Sequence, residues 1–481
     1  MKTIAWRGLL ILILLSVVSS WAAASPALST AEVGRSFAGI SPNAEDDSYF
    51  LYLPVIRGNF PLVTVFGAEF ERGITETGGI EEMAEAGLSW ARRNALLWSE
   101  VEPEKGDRFW DTSLETELIN AYWKDIQTIL IIRSAPAWAQ LKDGVLCGPI
   151  KQEEFSTFAD FMYDVVARYS AAPYHVEYFE IWNEPDVDFE SSGISPTEIY
   201  GCWGDEDDPT YGGSYYGEML NVVYPQIKAA NPNAQVLVGG LLLNCNPDLP
   251  AVCADPKPME FLKGILEVGA GTNFDGVSFH AYDYYGDPKT LGVYGNSNWG
   301  SAWNTTGPVL AAKVQFIREV LTEYNVQGKY LMNTESALLD DVVCDDNCEN
   351  TKAYYVAQVF TMAQAENLRA NIWFAVFGWR NSGLLASNRS PLPAYYSYQT
   401  AHDSLLAAQP LSSTIDYAGV KKYEFDRGNR RIWVLWSLDG ADHVVALPGT
   451  PLAVWDVFGA EVETVDPLTV TLKPLYVEWN P

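Results

Sequence analysis

The amino-acid sequence predicts an eight-stranded α/β barrel followed by a small antiparallel β domain. Between about residue 60 and residue 405, short apolar strands alternate with amphipathic helices eight times, the rhythm of a closed parallel sheet wrapped in helices. The long insertions in that stretch all follow strands, as loops at the C-terminal mouth of a barrel do. After Pro410 the texture changes to short strands broken by Asp-Arg-Gly-Asn, Leu-Asp-Gly and Phe-Gly turns. A doubly wound open sheet is the competing architecture, but no glycine-rich phosphate loop follows the first strand. The reading is therefore a (β/α)8 TIM barrel over residues 60–408 and a β-sandwich-like domain over residues 409–481.

The elements follow in order. Lys2 and Arg7, the apolar stretch Leu9–Val18 and the small residues Ala22–Ala24 make residues 1–24 an export signal peptide. Residues 25–59, with the apolar run Tyr49–Ile56, form an N-terminal segment that could add a strand to the β domain. The barrel strands are expected at Leu62–Ala68, Leu88–Asn94, Gln127–Ser134, Val176–Trp182, Gln235–Leu241, Asp275–His280, Tyr330–Thr334 and Asn371–Phe377. Helices separate them; in Phe155–Tyr169, Phe155, Phe158, Met162, Val165 and Val166 recur at helical spacing. Expected strands of the closing domain are Tyr423–Asp426, Arg431–Trp436, His443–Ala446, Ala453–Asp456 and Leu468–Leu472. That domain reads first as a structural cap on the barrel and second as a carbohydrate-binding module.

Composition narrows the class. A chain of 481 residues, 48% hydrophobic, has ample material for one large domain and a small one. The formal charge of −31 becomes −33 once Lys2 and Arg7 leave with the leader, which disfavours nucleic acid and other polyanions as partners. No apolar run reaches the roughly 18 residues of a membrane span, so no stable membrane insertion is expected after leader removal. Six cysteines suit an oxidising, extracellular compartment. Cys245 with Cys253 and Cys344 with Cys348 are local disulfide candidates, which leaves Cys147 and Cys202, though other pairings stay open. With four His and none at ligand spacing to a cysteine pair, neither a metal nor any other cofactor is expected.

Chemistry concentrates at two strand ends. The run Tyr178-Phe-Glu-Ile-Trp-Asn-Glu-Pro185 stops at a proline that cannot continue a sheet, and so presents Glu184 at a strand tip. Strict alternation puts Glu180, Trp182 and Glu184 on one face and Asn183 on the other, so a twist or bulge is needed to turn both Asn183 and Glu184 to a substrate. Glu180 lies deeper and reads as a buried hydrogen-bonded partner; Asp186 reads as a loop-capping or solvated acid. A second strand, Lys329-Tyr-Leu-Met-Asn-Thr-Glu335, ends in a second glutamate. Two strand-end glutamates are the minimum for hydrolysing a glycosidic bond.

These motifs resemble those of clan A glycoside hydrolases, of the kind found in families 39 and 5. Trp182-Asn183-Glu184-Pro185 is similar to the clan's acid/base motif on strand four, and Asn333-Thr334-Glu335 to its nucleophile region on strand seven. Arg93 with Trp98-Ser-Glu-Val-Glu-Pro103 resembles strand two, Ser134-Ala-Pro-Ala-Trp138 strand three, His280-Ala-Tyr282 strand six, and Trp379 the tryptophan ending strand eight. The resemblance implies catalytic Glu184 and Glu335 in a retaining β-glycosidase acting on a poly- or oligosaccharide, with Arg93, Trp138, Asn183, His280, Tyr282 and Trp379 as substrate-binding residues. Arg93 and Tyr282 are the expected donors to Glu335, and Arg92 is expected to face outward. Trp98, Trp299 and Trp303 are weaker candidates for distant subsites. The alternative is a carbohydrate-binding barrel without turnover.

Overall fold

Eight parallel strands close on themselves: β1 (Phe66–Glu69), β2 (Trp90–Leu97), β3 (Gln127–Arg133), β4 (Tyr178–Asn183), β5 (Gln235–Leu241), β6 (Gly276–Tyr285), then β9 (Tyr330–Leu339) and β10 (Ala370–Trp373) after a β-hairpin formed by β7 (Leu291–Val293) and β8 (Asn296–Ser301). Pairing of β5 with β6 and of β1 with β10 seals the ring. The computed structural model describes residues 64–188, 201–244, 246–247, 256–286, 291–293, 296–301, 303, 305, 307–340, 344–412, 417–463 and 467–481. The expected leader, the segment at residues 25–59 and the Cys245–Cys253 pairing lie outside the described residues. Among the described residues, no helix is long and apolar enough to cross a membrane.

Inside the barrel, the two-residue period of each strand stacks layers. The floor is apolar: Trp90, Ile129, Tyr178, Leu237, Met332, Ala370 and Ile372 form one buried cluster. Gly67 completes it on β1, where a Cβ would lie 2.3 Å from Ile372 Cδ1 and 2.8 Å from Trp90 Cβ. Two residues further along the same strands stand Glu69, Arg92 and Glu180, all buried. The floor thus dictates the phase of the polar layer above it. Outward-facing residues pack on the helices, as Phe66 does on Phe360, 4.6 Å between stacked rings.

Strand β5 falls where the sequence places it, and β1, β2 and β4 are displaced toward the site. β6 and β9 run on past His280 and Thr334, pairing with each other from His280↔Glu335 to Tyr284↔Leu339. Ala281, Asp283, Ala337 and Leu338 are buried in this extension, which explains why pairing continues beyond the barrel rim. β10 stops at Trp373, short of the expected Phe377.

The C-terminal region is a five-stranded antiparallel sheet ordered β11-β12-β13-β17-β15, with a two-stranded sheet β14-β16. The strands are β11 (Gln409–Ser412), β12 (Val420–Asp426), β13 (Arg431–Ser437), β14 (His443–Val445), β15 (Ala453–Asp456), β16 (Leu468–Val470) and β17 (Leu475–Trp479). Alternation splits its side chains between two cores. Tyr423, Phe425, Ile432, Val434, Trp436 and Tyr476 join the barrel's own core. Val420, Leu435, Val454 and Val477 face Val445, Leu468 and Val470 in a second, sandwich-like core. The described residues accordingly form one unit.

This shared core makes a test. Phe425 is fully buried in it, so Phe425→Ala is expected to cost about 3–5 kcal/mol. Urea unfolding followed by fluorescence should still show a single transition; a separate early transition of the C-terminal sheets would contradict a common core.

Candidate active site

The tip of β4 breaks strand alternation by backbone conformation. Trp182 has φ +73° and Glu184 φ +44°, left-handed values that cost an ordinary residue roughly 1–2 kcal/mol. The turn sends Trp182 outward, where its ring packs edge-on to Trp203 at 5.2 Å and Phe158 at 6.1 Å. Its Nε1 donates to the Cys147 carbonyl at 2.7 Å, and that carbonyl also accepts from Cys202 N at 3.0 Å. The Cys147–Cys202 disulfide joins the loops after β3 and β4 at this point; a second disulfide joins Cys344 and Cys348. With Trp182 turned away, Glu180, Asn183 and Glu184 all face the barrel axis. The twist expected from the sequence is present, but the expected face for Trp182 is corrected.

Arg92 is the centre of the polar layer. Its side chain is fully buried, and Nη1 donates to Glu69 at 2.6 Å and to Glu335. Nη2 donates to Glu180 at 2.6 Å and to Asn183 Oδ1 at 2.7 Å. The sequence reading had assigned this place to Arg93 and turned Arg92 outward, and the structure reverses both. Because Trp90 belongs to the barrel floor, Arg92 must point inward, and Arg93 points to the helix Thr112–Trp123, where Nε donates to Glu117 at 2.6 Å. Glu69 was missed because the expected first strand ended one residue early.

The tip of the seventh barrel strand supplies Glu335. A register shift beside Phe279 and His280 places one extra residue on β9, so Asn333 pairs with Phe279 while Glu335 pairs with His280. Asn333 does not support Glu335; its Nδ2 donates to Asn371 at 2.7 Å. Tyr282 donates its hydroxyl to Glu335 Oε2. His280 Nδ1 lies 2.8 Å from Glu184 Oε1 and 3.4 Å from Glu335 Oε2. One oxygen of each glutamate and a His280 nitrogen all lie within 4.8 Å of one another. The Glu184 side chain keeps 14% of its surface open and that of Glu335 8%, so both are largely buried and keep an open edge.

The two carboxyls stand in different surroundings. Burial pushes Glu184 up to about 7, outweighing the attraction of Arg92. Glu335 instead accepts from two donors, the Arg92 guanidinium and the Tyr282 hydroxyl. Burial lowers His280 to about 4, so the ring is neutral near neutral pH. Arg92 Nη2, a donor only, faces Nε2 at 3.5 Å, which assigns the ring proton to Nδ1, donating to Glu184. The His280 ring has room because residue 240 is glycine: a Cβ there would sit 2.2 Å from Nε2.

Two buried groups brace these tips, and the first of them is absent from the sequence reading. Lys313 Nζ donates to the His280 carbonyl at 2.8 Å and to the Leu242 carbonyl at 2.7 Å. Asp186, read as a loop cap, accepts from Leu242 N at 2.8 Å and Leu243 N at 2.9 Å.

The aromatic candidates divide. Trp379 is half exposed, and its ring meets Phe374 at 6.3 Å, which in turn meets Tyr282 at 6.2 Å. Phe374 is therefore the first ring beyond Tyr282 and Trp379 the second. Trp138 packs edge-on against Trp98 at 5.1 Å beneath Lys105, and its Nε1 donates to the Glu102 carbonyl. Trp98 and Trp303 are buried core residues, so neither offers a free face; the Trp299 side chain lies outside the described residues. As for metals, Asp340 with Cys344 and Cys348 is no donor set, because the two cysteines are disulfide-bonded. The Glu184, His280 and Glu335 atoms are engaged with one another and with Arg92 and Tyr282.

No protein-family model matches the chain, and comparison with curated proteins found no match. Solved structures share the fold. A family 39 glycoside hydrolase from the gut symbiont Bacteroides cellulosilyticus WH2 superposes with a TM-score of 0.65 at 19% identity, covering 87% of this chain and 80% of that one. The catalytic domain of GH30 xylanase C from Talaromyces cellulolyticus gives 0.58 at 15% identity, over 87% and 97%. A monomeric β-xylosidase from Caulobacter crescentus CB15 gives 0.54 at 15% identity, over 88% and 96%. The barrel with its β domain is the architecture of these enzymes.

The exchange of roles between the adjacent arginines is directly measurable. Arg92→Ala strands buried carboxylates and is expected to cost about 3–5 kcal/mol, whereas Arg93→Ala removes a partly exposed pair worth at most about 1 kcal/mol. Urea denaturation of the two variants checks the order; equal losses would contradict it.

Proposed function

We propose that this chain is a secreted retaining β-glycosidase hydrolysing a poly- or oligosaccharide by double displacement, without a cofactor. One observation carries the reading: Glu184 and Glu335 present oxygens within 4.8 Å of each other from the tips of the fourth and seventh barrel strands. Retaining enzymes hold their carboxyls about 5–5.5 Å apart, whereas inverting enzymes leave about 6.5–9.5 Å for a water.

In the first step Glu335 attacks the anomeric carbon. The bond to the leaving oxygen breaks as Glu184 gives that oxygen its proton. Glu184 suits this role because it holds a proton up to about pH 7 and His280 occupies only its Oε1. Ester formation removes the charge on Glu335, so Glu184 tolerates ionisation and takes a proton from water. That water attacks the anomeric carbon and releases Glu335 as carboxylate. Asn183, whose Oδ1 accepts from Arg92, keeps its amide protons for the hydroxyl at C2, a bond that strengthens as positive charge develops on the ring. Tyr282 holds Glu335 and Phe374 continues the wall; Trp379 offers a stacking face further out.

Export is part of the proposal. The N-terminal leader pattern and two disulfides suit an oxidising compartment, and a structural neighbour is a conserved exported protein from Bacteroides fragilis. Xylose-based substrates head the panel to be tried, because two of the neighbours above are a xylanase and a β-xylosidase.

Glu335→Gln is expected to lower kcat on aryl β-glycosides at least about 10³-fold, and a folded variant with undiminished turnover would reject the nucleophile. The first-formed product should keep the β anomer by NMR. Binding of oligosaccharides without any hydrolysis would instead favour a non-catalytic lectin-like barrel.

A pH profile tests Glu184. Its proton is present below about pH 7 and lost above it, so kcat/KM should fall as pH rises through that value. Glu184→Gln should abolish this limb and spare kcat/KM, though not kcat, on dinitrophenyl glycosides, whose leaving group needs no proton. A limb that survives in the variant would assign the proton elsewhere.

A further inference from the structure

We infer that Glu69 is a positioning residue for Glu335, acting as a neutral carboxylic acid that holds Arg92 without competing for its charge. The premise is geometric, and the kinetic consequence rests on the glycosidase reading. Glu69 and Glu335 converge on the same nitrogen, Arg92 Nη1, while Glu180 takes Nη2. Their relative exposures are 5%, 6% and 0% for Glu69, Glu335 and Glu180. One guanidinium cannot balance three buried anions. Like charges about 4 Å apart repel by about 4 kcal/mol even at an effective dielectric constant near 20, so a proton stays in the cluster.

Of the two carboxyls on Nη1, Glu335 has a second donor in Tyr282. The Glu69 carboxyl accepts from Arg92 alone among the described contacts. The proton is therefore assigned to Glu69, whose carboxyl has no second donor to compensate a charge. Burial pushes Glu69 up to about 8, with Arg92 opposing and Glu335 and Glu180 adding to the rise. The charged and titratable groups around it are Arg92 on β2, Glu180 on β4 and Glu184 just past its end, His280 and Tyr282 on β6, and Glu335 on β9. When Glu69 ionises, it draws Nη1 toward β1 and sets a second negative charge beside the nucleophile.

The experiment compares wild type with Glu69→Gln, a neutral isostere, and Glu69→Ala, which removes the partner of Arg92 on β1. In protein carrying 13C at glutamate carboxyls, one resonance should titrate near pH 8 and be missing from Glu69→Gln. Finding Glu69 ionised at about pH 6 overturns the inference. In kinetics at about pH 6, Glu69→Gln should keep kcat within about threefold of wild type while Glu69→Ala loses at least about thirtyfold, with KM changed less. The ratio of Glu69→Gln to wild-type kcat should rise about threefold or more by pH 9. A flat ratio, or a Gln variant as impaired as Ala, also overturns it. If wild type hydrolyses no glycoside, the glycosidase reading fails separately. The Glu335 resonance, identified by its loss in Glu335→Gln, then decides the positioning: its 13C chemical shift must move in Glu69→Ala, and an unmoved resonance counts against the role.

Discussion

A single buried guanidinium organises this barrel's mouth. Arg92 has no exposed surface and bonds three carboxyl groups and an amide from four strands, β1, β2, β4 and β9 counting its own. A cation there without partners would be prohibitive, and so would the carboxylates without it. The strands must therefore close with their polar layers in one register, which fixes the side chains above. Glu335 is held on one flank of Arg92, and Asn183 on the other, one residue before Glu184. His280 then spans the two glutamates, and its neutrality keeps it from becoming a salt-bridge partner that would strip Glu184 of its proton.

The two glutamates reach one cavity by different backbone devices. On β4 the left-handed Trp182 turns two consecutive residues, Asn183 and Glu184, toward the axis. On β9 an extra residue in the ladder brings Glu335 opposite His280. Local strain at β4 is offset by the outward packing of the Trp182 ring and by its hydrogen bond to Cys147. The disulfide behind it therefore acts on the site through the strand tip as well as on loop stability.

Much of this was legible in the chain. The alternation of apolar strands and helices gave the barrel, and Asn-Glu-Pro and Asn-Thr-Glu marked the two carboxyls, because chemistry at strand ends leaves polar residues after apolar runs. The phase of β2 was not legible. In Trp90-Ala-Arg-Arg, either arginine could face inward, and only Trp90's place in the barrel floor, set by Ile129, Tyr178 and Ile372 from distant strands, decides for Arg92. Glu69 was hidden because its strand has four residues and an interior glycine in place of an apolar side chain. Trp98 and Trp303 could not be told from surface rings by composition, since tryptophan serves a core and a sugar face equally well.

The central claim is that Glu335 forms a bond to sugar while Glu184 manages the proton. Incubation with an activated 2-deoxy-2-fluoro glycoside, followed by peptide mapping by mass spectrometry, tests it most directly, because the fluorine slows release of the ester. One sugar esterified to Glu335 is the result this account requires. A sugar attached to another residue, or turnover with inversion and no trapped ester, would contradict it.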